Sequence, residues 1–120
     1  MVAQSGAAVF PSANYETEGF SLGTTNETTV YTVPVGFEGG VFITEIIAAD
    51  QDGTANSLTL KVTIDGTAYI FGKAEAFAAN IPYERHFTSL VLNEGDTIKL
   101  TAASITVDGY VGFIQNARES

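Results

Sequence analysis

The segment from Leu58 to Phe71 constrains this chain more than any other. Leu58, Leu60, Val62 and Ile64 alternate with Thr59, Lys61 and Thr63, a two-residue period that puts apolar groups on one face and polar groups on the other. Asp65-Gly66 follows. A two-residue hairpin turn of the mirror type needs positive φ at both central positions, and Asp-Gly tolerates that geometry. Thr67 to Phe71 is then the returning strand.

The same texture runs from Phe20 to Gln115, where β-branched and aromatic residues are broken at short intervals by Gly, Asp-Gly and Asn. Fifteen threonines fit it, because Thr suits a pleated, half-buried surface. Thr28 to Val33 stops at Pro34, which suits a strand end or an edge. Val41 to Ala49 is apolar on both faces, as a central or covered strand is. Ile81 to Thr88 carries Pro82 and mixed polarity, which reads as an edge. Leu90 to Leu92 leads into the turn Asn93-Glu94-Gly95-Asp96, Thr97 to Ala102 alternates again, and Asp108-Gly109 turns into a last strand from Tyr110 to Gln115. No segment carries a helical period. Seven or eight short strands with tight turns predict an all-β, antiparallel β-sandwich, jelly-roll-like, although strand order is not legible.

At 120 residues the chain has room for one domain. Residues 1–19 are small and nearly uncharged, with Val2, Val9, Phe10 and Tyr15 as the sizeable apolar groups, and read as an extended N-terminal arm. Residues 20–116 form the sandwich and 117–120 a C-terminal tail. The absence of cysteine excludes disulfides and thiol chemistry, and a single histidine leaves little for a transition metal. A net charge of −9 repels phosphate backbones and anionic membranes, so neither nucleic acid nor membrane is an expected partner. The N-terminus lacks a basic start and an apolar stretch, so no secretory signal peptide is expected.

Few residues suggest chemistry. Asp50, Asp52 and Asn56 around Gly53 resemble part of a calcium loop, which needs several hard oxygen ligands, but the distal Glu is missing. The simpler reading is a solvated turn. His86 has no nucleophile motif to serve as base, which leaves the strip Tyr83, Arg85, His86 and Phe87 as a candidate subunit contact. Glu16/Glu18 and Glu94/Asp96 are paired carboxylates in wet settings, and read as surface acids rather than a glycosidase pair. Tyr15, Phe37, Phe77 and Tyr83 lie in or beside expected loops and could stack on a sugar. No catalytic residue and no cofactor are expected.

Four segments together resemble a known group. Thr29-Val30-Tyr31-Thr32-Val33-Pro34-Val35-Gly36 is followed by Ser57-Leu58-Thr59-Leu60-Lys61-Val62. Leu90-Val91-Leu92-Asn93-Glu94-Gly95-Asp96-Thr97-Ile98 then precedes Leu100-Thr101-Ala102-Ala103-Ser104. This order is similar to small β-sandwich virion proteins of tailed bacteriophages, over roughly residues 28 to 115, with the Gly-Asp turn as its sharpest element. Members of that family serve in capsid decoration or as neck and tail accessories. The resemblance implies a non-enzymatic structural role in the virion, with the major capsid protein or other virion proteins as partners. A capsid decoration (cement) subunit is the first reading. Neck or tail-tip accessory, or a carbohydrate-binding adhesin module, is the alternative. Val9, Phe10 and Tyr15 are then the expected docking residues of the arm. The apolar strand 41–49 suggests a homo-oligomer, and a trimer would suit capsid three-fold axes.

Overall fold

The computed structural model describes residues 13–36 and 40–116. Val9, Phe10, Phe37 and the tail 117–120 lie outside them.

The predicted hairpin is present. β4 (Asn56–Ile64) buries Leu58, Leu60 and Val62 and turns Thr59, Lys61 and Thr63 outward. Asp65 and Gly66 have φ of 53° and 82°, both positive as the mirror-type turn demands. β5 (Thr67–Phe77) returns along β4 and runs beyond Phe71, through a bulge in which Ala74 takes φ of 49°.

The rest of the chain wraps around this tip. β3 (Val41–Asp50) pairs with β6 (Tyr83–Leu92), β2 (Thr28–Thr32) with β7 (Thr97–Ala102), and β1 (Ala13–Leu22) with β8 (Val107–Asn116), all antiparallel. The chain is therefore one long hairpin rolled into two four-stranded sheets, ordered β1-β8-β3-β6 and β2-β7-β4-β5. It crosses between sheets at every connection except the β4–β5 turn. That is a jelly-roll sandwich.

The core lies between the sheets. Val41, Ile43, Ile46 and Val111 from one layer face Leu58, Leu60, Val62, Ile98 and Leu100 from the other, all fully buried. β3 is central, as its apolar character predicted, and β6 is an edge. Several boundaries differ from expectation: Asp108-Gly109, read as a turn, lies inside β8, which begins at Val107. The sixth strand starts at Tyr83, after a turn in which the Ile81 N–H donates to the Ala78 carbonyl at 3.1 Å, and it continues unbroken to Leu92. Residue 20, where the sequence changes texture, lies in mid-strand: residues 13–19, read as arm, already pair with β8. Their partners sit almost a whole chain length away, so no local pattern could announce the pairing.

Candidate functional site

Tyr15 is 55% exposed on the outer face of β1. Its hydroxyl donates to the Glu45 carboxylate across β8. The two meet because Gly112 lies beneath them; a Cβ there would come within 2.7 Å of the Tyr15 oxygen. The bond to Glu45, with some burial, raises the Tyr15 pKa to about 12. Tyr15 is thus fixed to the sheet rather than carried on a free arm.

The strip on β6 divides by strand alternation. Tyr83 is 5% exposed and donates to Glu75 Oε1 at 2.6 Å. Arg85 grips the same carboxylate through Nη1 at 3.1 Å to each oxygen, donates from Nη2 to the Phe71 carbonyl at 3.2 Å, and covers the Phe87 ring at 5.4 Å. These three side chains clamp the β5 and β6 edges together. His86 points outward, 3.2 Å from Glu84. Phe77 and Tyr83, considered above as exposed sugar platforms, are core residues that pack edge-to-face at 6.0 Å. β5 runs on past Phe71 to Phe77, and Tyr83 opens β6 with its ring turned inward, which buries both.

Asp50, Asp52 and Asn56 come together, held by hydrogen bonds. Asp50 Oδ1 accepts the Asp52 and Thr54 N–H groups at 2.8 and 3.4 Å, and Oδ2 accepts Asn56 Nδ2 at 2.8 Å. Asn56 is 7% exposed; its Nδ2 also donates to the Ser104 carbonyl, and its Oδ1 accepts the Ser57 and Ser104 N–H groups. Asp52 Oδ2 accepts the Thr106 hydroxyl at 2.9 Å. This network splices the β3–β4 connection to the one between β7 and β8. Desolvation alone would raise the Asp50 pKa, but the bonds from Asn56, Asp52 and Thr54 outweigh it and hold the carboxyl below its ordinary 3.8. Among the described residues no group of three or more His, Asp or Glu is placed to hold a metal ion.

The most site-like feature is a groove of about 610 Å³ between β1 and β2, on the side where the two sheet edges lie over each other. Glu16, Glu18 and Gln115 line it from one sheet, Thr29, Val30, Tyr31, Thr32 and Pro34 from the other, with Phe113 between. β2 bulges between Thr29 and Tyr31, so Val30 and Tyr31 both turn inward. The Tyr31 ring packs on Phe113 at 4.7 Å. Its hydroxyl is buried without a hydrogen-bond partner among the described residues. Burial first, then the charges of Glu18 and Glu16, raise its pKa to about 12. Glu16 and Glu18 are exposed, as the sequence reading of wet surface acids had them, but they stand at the rim of a groove; Asp96, read the same way, is 3% exposed. The spacing of two between Glu16 and Glu18 was the available signal, since it puts both on one face of any strand. The bulge that brings in Tyr31 had none.

No protein-family model matches the chain, and no curated protein sequence matches it. Among solved structures it is similar to a chain of the cyanophage Pam1 capsid asymmetric unit, at 18% identity over 88% of this chain and 84% of that one, with a TM-score of 0.39.

Proposed function

We propose that the chain is a non-enzymatic structural protein of a tailed-phage virion, a capsid decoration subunit that docks on capsomers through its surface and N-terminal arm. The observation that supports this best is the junction around Asp96, which is 3% exposed. Its Oδ2 accepts the Asn93 N–H at 2.9 Å and its Oδ1 the Asp65 N–H at 3.1 Å. The Val33 N–H donates to the Asp96 carbonyl at 3.0 Å, and the Gly36 N–H donates to Glu94 Oε2 at 2.7 Å. Thr29–Gly36 and Leu90–Ile98, two of the segments that resemble the phage family, are thus joined by backbone and carboxylate into one corner of the molecule. The β4–β5 turn, which follows the Ser57–Val62 segment, is bonded to the same side chain through the Asp65 N–H. The segments that carry the resemblance therefore meet in one corner of the fold, where β2 pairs with β7.

Its partners on this reading are the major capsid protein or other virion proteins, and its own copies in a homo-oligomer, with a trimer suited to three-fold axes. Its work is to bury area between neighbouring capsomers and raise the cost of separating them. Electron cryo-microscopy of particles carrying the protein tests this. The expected result is sandwich density on the capsid lattice, and loss of particle binding when residues 1–12 are deleted. The deletion stops there because β1 begins at Ala13. Density confined to the neck or tail tip, or saturable binding to a glycan, would replace decoration with an accessory or adhesin role.

A further inference from the structure

We propose that the groove between β1 and β2 is a docking site for an arginine side chain on an extended segment of a partner protein. The groove holds two carboxylates of like charge, Glu16 and Glu18, on one strand face, and neither forms an ion pair with a described residue. Of the two, Glu16 accepts one bond, from Gln115 Nε2 at 2.5 Å. Beneath them the Tyr31 hydroxyl has no partner although the residue is only 6% exposed. A buried, unpaired hydroxyl costs free energy that a ligand can recover. Two like-charged carboxylates on one strand face likewise attract a cation.

Arginine answers these features together. Its planar fork offers five N–H donors to two carboxylates and a phenol oxygen. Its weakly hydrated faces suit the apolar lining of Val30, Pro34 and Phe113 better than a compact, strongly hydrated ammonium does. A neutral sugar would satisfy the hydroxyl and leave both charges standing. The volume accepts the side chain with flanking backbone. The outer edges of β1 and β2 border the groove and pair with no further strand among the described residues, so an extended segment can bond to the backbone there. Such an arginine need not come from a capsid protein, and failure here leaves the virion role untouched.

The test is NMR titration of the full chain, at low ionic strength, with a capped five-residue peptide carrying one central arginine between threonines, and with its citrulline counterpart. Saturable shifts at Glu16, Glu18, Tyr31 and Gln115 are expected with the arginine peptide, and binding at least about tenfold weaker with citrulline, the difference of one charge-assisted bond. The double variant Glu16→Gln/Glu18→Gln should lose the same factor while melting no lower than the parent, Tyr31→Phe should weaken binding several-fold, and Glu84→Gln should change nothing. Equal binding of citrulline, no saturation, or shifts spread over the acidic surface overturns the assignment. So does the same footprint with maltose, or binding that appears only after Arg118→Gln, which would give the groove to the chain's own terminus.

Discussion

At the scale of single residues, glycine at 109 is required by packing. Gly109 sits mid-sheet, opposite Phe20 on β1 and Ala48 on β3. A Cβ built there would run into the Ile47 carbonyl oxygen, lie 2.8 Å from Ala48 Cα and 2.9 Å from the Phe20 ring. Two of those three neighbours are backbone, which cannot swing away as the end of a side chain can. Gly109→Ala should therefore destabilise the fold by roughly 1–3 kcal/mol, the usual cost of forcing a methyl into a packed sheet. Gly19 lies one strand over, and its nearest atom would be 3.8 Å away, so Gly19→Ala should be close to neutral. Chemical denaturation of the two variants checks the contrast; equal midpoints would mean the sheet can flatten to admit the methyl.

At the scale of elements, the brace at the end of β3 makes stability depend on pH. The Asp50 carboxyl has a folded pKa below the unfolded value of 3.8. The folded state therefore holds this proton less tightly than the unfolded chain does. Stability from the brace is complete above 3.8 and disappears as pH falls through the folded pKa. Asp50→Asn cannot replace it. The new amide has a single oxygen: turned to the Asp52 and Thr54 N–H groups it presents an N–H₂ to the Asn56 N–H₂, and turned to Asn56 it presents that N–H₂ to the two backbone donors. Turning Asn56 over would break the bonds its Oδ1 accepts from Ser57 and Ser104. Melting curves should show Asp50→Asn below the parent near neutral pH, with the gap closing in acid. A gap that persists below the folded pKa would assign the effect to lost shape instead.

Elements were legible in the sequence where burial is one-sided and pairing is local. β4 and the Asp65-Gly66 turn met both conditions, β7 met the first alone, since its partners β2 and β4 are distant in sequence, and β3 declared itself central by its apolar outer face. β1 failed both. Its inward positions carry Glu16 and Glu18 because they face a groove and not the core, and its partner β8 is at the far end of the chain. The later part of β5 was hidden by Gly72 and by Ala74, a residue with no propensity for the positive φ it adopts. Of the groove, the two acids were visible and the phenol was not, since a bulge without Gly or Pro leaves no mark in composition.

At the scale of the whole molecule, a rolled hairpin imposes an order on folding. β4 and β5 are joined by a two-residue turn, whereas β1 and β8 pair from Ala13↔Asn116 to Leu22↔Val107. Closing a longer loop costs more chain entropy before any contact offsets it. The tip should therefore form early and the β1–β8 seam last. Val62 on β4 and Val111 on β8 are matched probes, both completely buried in the same core. Each Val→Ala change should cost on the order of 2 kcal/mol at equilibrium. The kinetics should separate them. Val62→Ala should chiefly slow folding, with a φ-value above about 0.5, and Val111→Ala should chiefly speed unfolding, with a value below about 0.3. Equal values would mean that both sheets condense together and that the seam carrying the groove is no later than the tip. The predicted order has a functional side. A seam that closes last is also the first to open, so β1, which holds Glu16 and Glu18 over Tyr31, lies where a partner segment bound across the edge would add most to the resistance of the whole sandwich.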